Sequence, residues 1–488
     1  MYTVTFLPKG IAVEVAAGTS VLQAQIAAQL HPDAPCGAKG TCGKCQVQIE
    51  GITVLACQTM VDRDMTVTLS HQDTLEILIA GAGASVTADG ENDYAVAFDI
   101  GTTTLVGFLL DGKTGKLLST ASAMNPQTQY GADVISRIQA AIDTKANLQN
   151  CIVRSLRKLI WDLALRSGIP AEKVSLVTIV GNTAMHHLLL GIDPAPLVTP
   201  PYMPKVFEAM ELPSKGFLPI NPWGELRVLP NIAGFVGADT VGCMVATDFG
   251  QRTDLTLMID IGTNGEMVLG NRDRRIACST AAGPAFEGAK ISCGMRGCAG
   301  AIDHVWLDNQ ELHCHVIGDI EATGICGSGL LDLIACMLDA GILDESGYLE
   351  GKKYRIPGTH ISLTQEDIRE VQLAKAAIRA GIELMCEHLG VKFADIQNVL
   401  LAGAFGNYLN PESACRIGMI PSVLQSKIVP IGNAAGEGAK LCAVSRERFD
   451  YSKILAAETE FLELASKPAF QDRFVDALEF SENEEDND

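Results

Sequence analysis

Four cysteines near the start of the chain could bind a metal centre: Cys36, Cys42, Cys45 and Cys57. Their spacing is C-x5-C-x2-C-x11-C. Four thiolates are what a [2Fe–2S] cluster requires, two for each iron, and the C-x2-C pair can hold one side of it. Three glycines lie among the first three cysteines, where they let a loop turn its N–H groups toward sulfur: Gly37, Gly40 and Gly43. The spacing therefore predicts a one-electron iron–sulfur centre.

The segments around these cysteines predict a β-grasp module. Residues 2–6 and 11–15 predict a β-hairpin, and Thr19 or Ser20 is the predicted N-cap of a helix over 21–30. Further strands are predicted at 46–50 and 65–69. With these elements, the pattern resembles plant- and vertebrate-type ferredoxins, although the final cysteine gap is shorter. The resemblance implies that the four cysteines are the ligands of a [2Fe–2S] cluster.

Zinc is the alternative occupant, because four cysteines also satisfy that ion. Zinc knuckles favour two C-x2-C pairs, and this chain has one. A second cluster could involve Cys293 and Cys298, with other cysteines nearby in the sequence. Buried free cysteine behaves as a small hydrophobic residue, so packing is the favoured interpretation of the remaining cysteines.

Two similar loops follow about 160 residues apart: Asp99-Ile100-Gly101-Thr102-Thr103 and Asp260-Ile261-Gly262-Thr263-Asn264-Gly265. Each lies between two apolar segments, so each predicts a hairpin whose tip presents N–H and hydroxyl donors. The aspartate can hold Mg²⁺ directly or through water, and the glycine permits a phosphate to approach closely. A third segment, 399–407, predicts a strand that runs into a Gly-rich turn suited to adenosine.

The ordered set of loops resembles the actin, sugar kinase and Hsp70 superfamily, in which two duplicated α/β domains bind ATP between them. Tight β-turns would explain each loop alone but explain the ordered set poorly. The resemblance implies that the two aspartates are catalytic and that these residues bind Mg²⁺-ATP: Asp99, Gly101, Thr102, Thr103, Asp260, Gly262, Thr263, Asn264, Gly327, Gly403 and Gly406. Gly327 belongs to a Gly-rich segment before an apolar helix, where backbone N–H groups can hold an anion.

Composition limits the class of protein. The chain has 488 residues and a formal net charge of −21, so its field would repel nucleic acid. No signal peptide precedes the first strand, and no uncharged apolar segment reaches spanning length. Fifteen cysteines without a secretory signal favour a reducing cytoplasm. We therefore expect a cytoplasmic protein that binds neither nucleic acid nor membrane.

The predicted fold class is a multidomain chain of α/β and α+β units. A β-grasp ferredoxin-like domain over 1–72 is followed by a flexible linker over 73–92. A duplicated actin/Hsp70-like (ribonuclease H-like) ATPase then has its first subdomain, the middle region, over 93–254. Its second subdomain covers 255–488 and ends in an acidic tail.

A ferredoxin module joined to an actin-like ATPase resembles the reductive activators of corrinoid proteins (RACo) over essentially the whole chain. Supporting segments are 181–183, 260–266 and 279–288. The resemblance implies an ATP-hydrolysing iron–sulfur electron-transfer activase. It would pass one electron to the inactive Co(II) corrinoid of a partner methyltransferase or corrinoid protein and restore Co(I). It further implies an upstream low-potential electron donor, a homodimer, and a catalytic oxygen near cobalt from Ser279 or Thr280.

Three other functions fit part of the pattern. An actin-fold small-molecule kinase with a regulatory cluster would need a general base, for which Asp239 is the candidate. A redox-sensing scaffold would bind ATP without turnover, and the two Asp-containing loops count against it. Activators of radical acyl-CoA dehydratases are also ATP-driven, but they use a subunit-bridging [4Fe–4S] cluster and lack a ferredoxin module.

Overall fold

The computed structural model describes residues 1–7, 10–28, 30, 38, 40, 45–69, 87–144, 147–464 and 467–480. Three predicted features therefore lie wholly or largely outside the described residues. They are the cysteines Cys36 and Cys42, the linker up to residue 86, and the acidic tail from residue 481.

The N-terminal residues form a small mixed sheet, as the β-grasp prediction requires. Its order is β2-β1-β5-β3-β4, with β1 antiparallel to β2 and parallel to β5. Ser20 caps the helix, because its side chain accepts the N–H of Gln23 while the Gln23 side chain accepts the N–H of Ser20. The helix ends before the predicted residue 30, and β4 was not predicted. The elements are β1 (Tyr2–Leu7), β2 (Ile11–Val15), α1 (Val21–Ala27), β3 (Gln46–Ile49), β4 (Ile52–Leu55) and β5 (Met65–Leu69).

The next part of the chain, which we call the first lobe, is a sheet covered by helices. The sheet order is β10-β11-β9-β6-β7-β8, and β6 pairs antiparallel with β7 and parallel with β9. The elements are β6 (Tyr94–Ile100), β7 (Thr104–Asp111), β8 (Leu117–Met124), α2 (Val134–Asp143), α3 (Leu148–Ser167), β9 (Val174–Gly181), α4 (Thr183–Leu190), β10 (Met210–Pro213), β11 (Glu225–Val228) and α5 (Ala238–Ala246).

The rest of the chain, the second lobe, repeats this plan. Its main sheet has the order β21-β20-β12-β13-β14-β22, so β20-β12-β13-β14 corresponds to β9-β6-β7-β8. The elements are β12 (Thr256–Ile261), β13 (Gly265–Gly270), β14 (Arg275–Thr280), β15 (Ala301–Asp308), β16 (Glu311–Val316), β17 (Gly324–Ile325), α6 (Gly327–Asp339), β18 (Lys353–Arg355), β19 (Ser362–Thr364), α7 (Gln365–Leu389), β20 (Asn398–Ala402), α8 (Gly403–Tyr408), α9 (Pro411–Arg416), β21 (Ile428–Gly432), α10 (Ala434–Val444), α11 (Arg446–Glu458), β22 (Glu460–Phe461) and α12 (Pro468–Asp476).

The two lobes share an apolar core built around α5 and α10. Val241 of α5 and Ala439 of α10 belong to one buried cluster with Phe108 of the first sheet and Val268 of the second. Each lobe also has its own core on the outer face of its sheet. Both faces of each sheet are therefore covered, which explains why β6 and β12 are almost continuously apolar.

Strand periodicity directs one aspartate of each sheet toward the other lobe. Ala97 of β6 and Met258 of β12 both lie in the shared core. Side chains two residues apart project from the same face of a strand. Asp99 and Asp260, each two positions further along, therefore project toward the region where the lobes meet.

One local prediction was wrong. The Gly-rich segment after β20 does not form an open turn, because Gly403–Tyr408 is the short helix α8. The φ angle of Gly403 is +86°, a conformation that glycine adopts without a Cβ penalty. This sharp change of direction lets the helix begin immediately after the strand.

Candidate functional site

The tips of the β6–β7 and β12–β13 hairpins line one cleft between the lobes. Its volume is about 330 Å³. Ten of the predicted nucleotide-binding residues line it: Asp99, Gly101, Thr102, Thr103, Asp260, Gly262, Thr263, Asn264, Gly327 and Gly403. The structure thus brings together segments that are far apart in sequence, while the role of each residue in binding stays a prediction.

Two other predicted residues lie outside the lining of this cleft. Gly406 is buried in α8. The Ser279 hydroxyl lies 3.5 Å from Glu266 Oε1, to which it donates. Thr280, the alternative to Ser279, is 2% exposed and donates to the carbonyl of Gly265. An oxygen from either residue near a cobalt centre therefore stays a prediction.

Two asparagines hold the first turn in shape, and sequence reasoning did not assign them a role. Asn125 Nδ2 donates to the carbonyl of Gly101 at 2.8 Å. Asn182 Nδ2 donates to Thr102 Oγ1 at 2.9 Å, while its Oδ1 caps α4 by accepting the N–H of Met185. The first turn is therefore held in shape by side chains from two other segments of the chain.

A group of acidic side chains gives the cleft its electrostatic character. Burial raises the pKa of Asp99 to about 7, and the charge of Asp239 adds to the rise while a hydrogen bond from Asn433 opposes it. Burial, with Asp239 and Asp99 nearby, raises the pKa of Asp260 to about 7. Burial also raises the pKa of Asp239 to about 6. Burial is the main reason that each of these carboxyl groups resists ionisation, and the charge of Asp239 adds to it for Asp99 and Asp260.

Glu266 belongs to the same acidic group. Burial, together with the charges of Asp239 and Asp260, raises its pKa well above the usual range. Among the described residues that line the cleft, Arg296 is the only basic one. Its guanidinium donates to the sulfur of Met124 at 3.0 Å. The cleft therefore holds an excess of acidic groups whose ionisation a bound cation would favour.

This donor set fits Mg²⁺ held together with a polyphosphate. Mg²⁺ takes oxygen ligands, and it usually binds through one or two carboxylates plus phosphate oxygens and water. Within the described part of the chain, no group of three or more His, Cys, Asp or Glu side chains is arranged to hold a metal ion. The described residues therefore do not form a preformed cage of protein ligands. They provide single carboxylates beside the two Asp-Ile-Gly-Thr turns.

Glu287 joins the two turns through contacts that no local sequence pattern predicts. Thr103 Oγ1 donates to Glu287 Oε2 at 3.1 Å. Thr263 Oγ1 donates to Glu287 Oε1 at 2.9 Å. One threonine from each of the two similar loops thus donates to a different oxygen of a single carboxylate.

Two phenylalanines form an apolar wall of the cleft. The rings of Phe286 and Phe405 are stacked, with centroids 4.9 Å apart and an interplanar angle of 7°. Gly327 begins α6 against them, and a Cβ there would lie 2.1 Å from the carbonyl oxygen of Phe286. Only glycine fits at this close approach. A flat apolar wall opposite charged turns suits a ligand with one planar apolar end and one anionic end.

The two described cysteines of the N-terminal motif lie close together at one end of the sheet. Cys45 precedes β3 and Cys57 follows β4, and the N–H of Ala56 donates to the carbonyl of Cys45 at 2.8 Å. Both cysteines are buried. Gln58 Nε2 donates to Cys57 Sγ at 3.7 Å. Two cysteines on adjacent backbone segments, with a hydrogen-bond donor beside the sulfur of one, fit the ligand chemistry of an iron–sulfur cluster.

Three family descriptions match consecutive parts of the chain. Residues 4–68 match "2Fe-2S iron-sulfur cluster binding domain". Residues 94–252 match "RACo middle region", and residues 254–487 match "C-terminal domain of RACo the ASKHA domain". The matches follow the order of the β-grasp module, the first lobe and the second lobe.

Similar proteins include two curated relatives and one solved structure. The corrinoid activation enzyme RamQ of Eubacterium limosum is 36% identical over 423 residues, which cover 80% of this chain and 71% of the relative. The [Co(II) methylated amine-specific corrinoid protein] reductase of Methanosarcina barkeri is 29% identical over 393 residues, which cover 73% of this chain and 71% of the relative. The structure of a reductive activator for a corrinoid,iron-sulfur protein has a TM-score of 0.72 and 28% identity, and the match covers 98% of both chains.

None of the helices in the described ranges is both long and apolar enough to span a lipid bilayer.

Proposed function

The chain belongs to the family of reductive activators of corrinoid proteins (RACo), and we propose that it returns the inactive Co(II) corrinoid of a partner protein to Co(I) in an ATP-dependent reaction. The observation that carries this proposal is the pairing of two modules in one chain. One module places Cys45 and Cys57 on adjacent backbone segments, and the other presents two Asp-Ile-Gly-Thr turns that line a single cleft.

The N-terminal module would bind the electron carrier. Cys45 and Cys57 lie at one end of its sheet, and Cys36 and Cys42 complete the proposed ligand set. A [2Fe–2S] cluster bound there supplies one electron at about −400 mV, the value of plant-type ferredoxins. Gln58 would stabilise charge on the sulfur of Cys57 through its hydrogen bond.

The cleft would bind Mg²⁺-ATP. Asp99 and Asp260 would hold Mg²⁺, directly or through water, and the hydroxyl and N–H groups of the two turns would bind phosphate oxygens. The base would lie against the wall of Phe286 and Phe405. Asn182 and Asn125 would keep the first turn in the conformation that the phosphates require.

ATP is needed because Co(I) is a stronger reductant than a plant-type cluster. For one electron, each 59 mV of unfavourable potential lowers the equilibrium constant about tenfold. A nucleotide can offset this deficit only if it binds one state of the complex more tightly than the other. We propose that the ATP-bound protein selects a complex in which the Co(II) state of the partner is disfavoured.

The proposal extends to the partners and the location. The corrinoid protein is the electron acceptor, and an upstream low-potential protein or reductant recharges the N-terminal module. A homodimer and a cytoplasmic location complete the proposal. The net charge of −21 gives an acidic surface that suits a partner with basic patches.

ATP hydrolysis in the presence of the partner tests this function. Turnover is expected to rise when a Co(II) corrinoid protein is added, and much less with its methylated or Co(I) form. If nucleotide increases the affinity for the Co(II) partner, the partner must increase the affinity for nucleotide by the same factor. For a typical coupling, this factor is about 5 to 150. In Cys57→Ser, partner-sensitive ATP binding should persist while Co(I) formation is lost.

The kinase hypothesis makes the opposite prediction. Asp239, its candidate general base, does lie in the cleft. If ATP turnover responds to a sugar or a carboxylic acid and ignores every corrinoid protein, the kinase hypothesis is correct and the proposed function is wrong.

A further inference from the structure

Glu287 spans the cleft between the two lobes. Thr103 belongs to the first lobe, whereas Thr263 and Glu287 belong to the second. Because both threonines donate to this carboxylate, the glutamate links the two phosphate-sized turns across the cleft. The contact joins residues 184 positions apart in the sequence, so it is a feature of the folded cleft and not of either turn alone.

A phosphate cannot use the same two donors while this contact is present. A threonine hydroxyl carries a single proton, and a phosphate oxygen of bound ATP can only accept a hydrogen bond. A carboxylate and a phosphate at the same place also repel each other, most strongly where little water is present. Glu287 and a phosphate between the turns are therefore mutually exclusive.

We propose that Glu287 is a positioning residue that takes the place of a terminal phosphate between the two turns, and that nucleotide binding displaces it. This inference rests on the proposed function and deepens it, because it names how the cleft distinguishes its empty state from its loaded state. In the empty state the carboxylate holds the turns together, and in the loaded state the phosphates do so.

The displaced glutamate would move a wall of the cleft. Glu287 lies on the segment that connects β14 to β15, which also supplies Phe286, Met295 and Arg296 to the lining. The far end of this segment is held by the backbone, where Met295 N donates to Ile325 O at 2.8 Å. Because the segment is short and fixed at Met295, a displacement of Glu287 also displaces its neighbours on the segment. These neighbours line the cleft, so its shape around the bound nucleotide changes.

Arg137 gives the displaced carboxylate a partner. This arginine is fully buried, its Nε donates to the carbonyl of Gly131, and its Nη2 has no hydrogen-bond partner among the described residues. Ala132, next to Gly131, lines a cavity of about 40 Å³ together with Glu287. Burial lowers the pKa of Arg137 to about 10, and the negative charges of Asp133 and, less strongly, Glu287 act against that change. A buried guanidinium with an unused donor is stabilised by an approaching carboxylate.

Two substitutions at Glu287 separate its charge from its hydrogen bonds. Glu287→Gln keeps the size of the side chain and removes the charge, and Glu287→Ala removes both. In either variant, the dissociation constant for Mg²⁺-ATP, measured by titration calorimetry, should fall at least about fivefold because the internal competitor is weakened or absent. Glu350→Gln is the matched control, since it removes one exposed carboxylate of the same lobe, and its affinity should not change.

Hydrogen exchange gives a second measurement that does not depend on activity. In the nucleotide-free protein, amides of residues 101–104 and 262–264 should exchange faster in Glu287→Ala than in the wild type, because the link between the turns is lost. Glu287→Gln, whose amide can still bind both threonines, should exchange at an intermediate rate. With saturating ATP, all three proteins should show similar protection.

A double-mutant cycle tests the role of Arg137. Arg137→Met should weaken ATP binding in the wild-type background and have little further effect in Glu287→Ala, because no carboxylate then needs a partner. Additive effects would contradict this role. If the wild type binds ATP and Glu287→Gln binds it equally or less tightly, the displacement model is wrong. If the wild type does not bind ATP at all, the proposed function fails instead.

Discussion

Gly403 faces Asp260 so closely that a Cβ on the glycine would lie 2.7 Å from Asp260 Oδ1. The glycine begins α8 directly after β20, and the aspartate is the second-last residue of β12, the parallel neighbour of β20. The direction of Asp260 in the cleft is therefore limited by a neighbour that must have no side chain.

Gly403→Ala should weaken Mg²⁺-ATP binding by roughly 5- to 30-fold. The methyl group would push the Asp260 carboxylate aside and so misplace a ligand of Mg²⁺, whereas the cost of a positive φ, about 1–2 kcal/mol, lowers the stability of the fold and is shared with the control. Titration calorimetry with ATP would measure the loss. Gly390→Ala is the matched control, because Gly390 also has a positive φ, +68°, but has no atom within 4 Å of the added methyl. If both variants lose affinity equally, the contact with Asp260 is not the cause.

Asp99→Asn and Asp260→Asn should each lower ATP hydrolysis at least roughly 100-fold, the scale seen when one electrostatic group of an active site is removed. The amide keeps the shape of the side chain but is a poor ligand for Mg²⁺. The visible spectrum of the N-terminal module should not change, because the sites are separate. Asp273→Asn, an exposed aspartate of the second lobe, serves as the control. Hydrolysis that persists in both cleft variants would place the nucleotide site elsewhere.

Mg²⁺-ATP binding should release protons near neutral pH. Asp99 and Asp260 have pKa values raised to about 7 in the empty cleft, so each is partly protonated at pH 7 and must ionise to hold a cation. The affinity should therefore rise with pH up to about 7, by as much as roughly tenfold per pH unit for one linked proton, and level off above it. Calorimetry in buffers of different ionisation enthalpy would count the protons. If binding at pH 6 releases no protons, these carboxylates do not bind the cation.

The same raised pKa values affect the empty protein. Because the folded state binds more protons than the unfolded state between pH 4 and 7, stability should fall as pH rises through this range. Saturating Mg²⁺-ATP should reduce the loss, since the cation favours the ionised carboxylates. A thermal transition measured at pH 5 and pH 8, with and without nucleotide, would detect the difference.

Gln58→Leu should lower the reduction potential of the N-terminal centre. Gln58 donates a hydrogen bond to Cys57 Sγ, and such a bond favours the reduced, more negative state. A hydrogen bond worth about 0.5–1.5 kcal/mol corresponds to roughly 20–65 mV for one electron. Spectroelectrochemistry would measure the shift, with Gln48→Leu on the exposed face of β3 as the control. An unchanged potential would mean that the hydrogen bond does not act on a ligand of the centre.

Local patterns predicted the parts of the fold that short sequences encode. The hairpins at Asp99 and Asp260 could be read from buried apolar segments on either side of an Asp-Gly-Thr loop, and the β-grasp strands from alternating residues. The helix α8 was missed because Gly403 and Gly406 indicate a turn when read alone. In the structure, Gly403 provides the positive φ with which the helix starts.

Long-range contacts could not be read in this way. Glu287 lies in a Gly-Pro-Ala-Phe-Glu-Gly segment, but its role in the cleft depends on a hydrogen bond from Thr103, 184 positions earlier. Asn125 and Asn182 support the first turn from separate segments. In the same way, α10 belongs to the second lobe in sequence yet packs in the core shared by both lobes. Such contacts depend on how the two sheets pack against each other, and no local sequence pattern predicts that packing.

Formation of Co(I) is the most direct test of the central claim. The protein, reduced under anaerobic conditions, would be mixed with a Co(II) corrinoid protein, and the absorbance of Co(I) followed with and without Mg²⁺-ATP. The account predicts that Co(I) accumulates with ATP in the wild type and fails to do so without nucleotide, in Asp260→Asn, or in Cys57→Ser. Equal Co(I) formation with and without ATP, or in the Cys57→Ser variant, would contradict it.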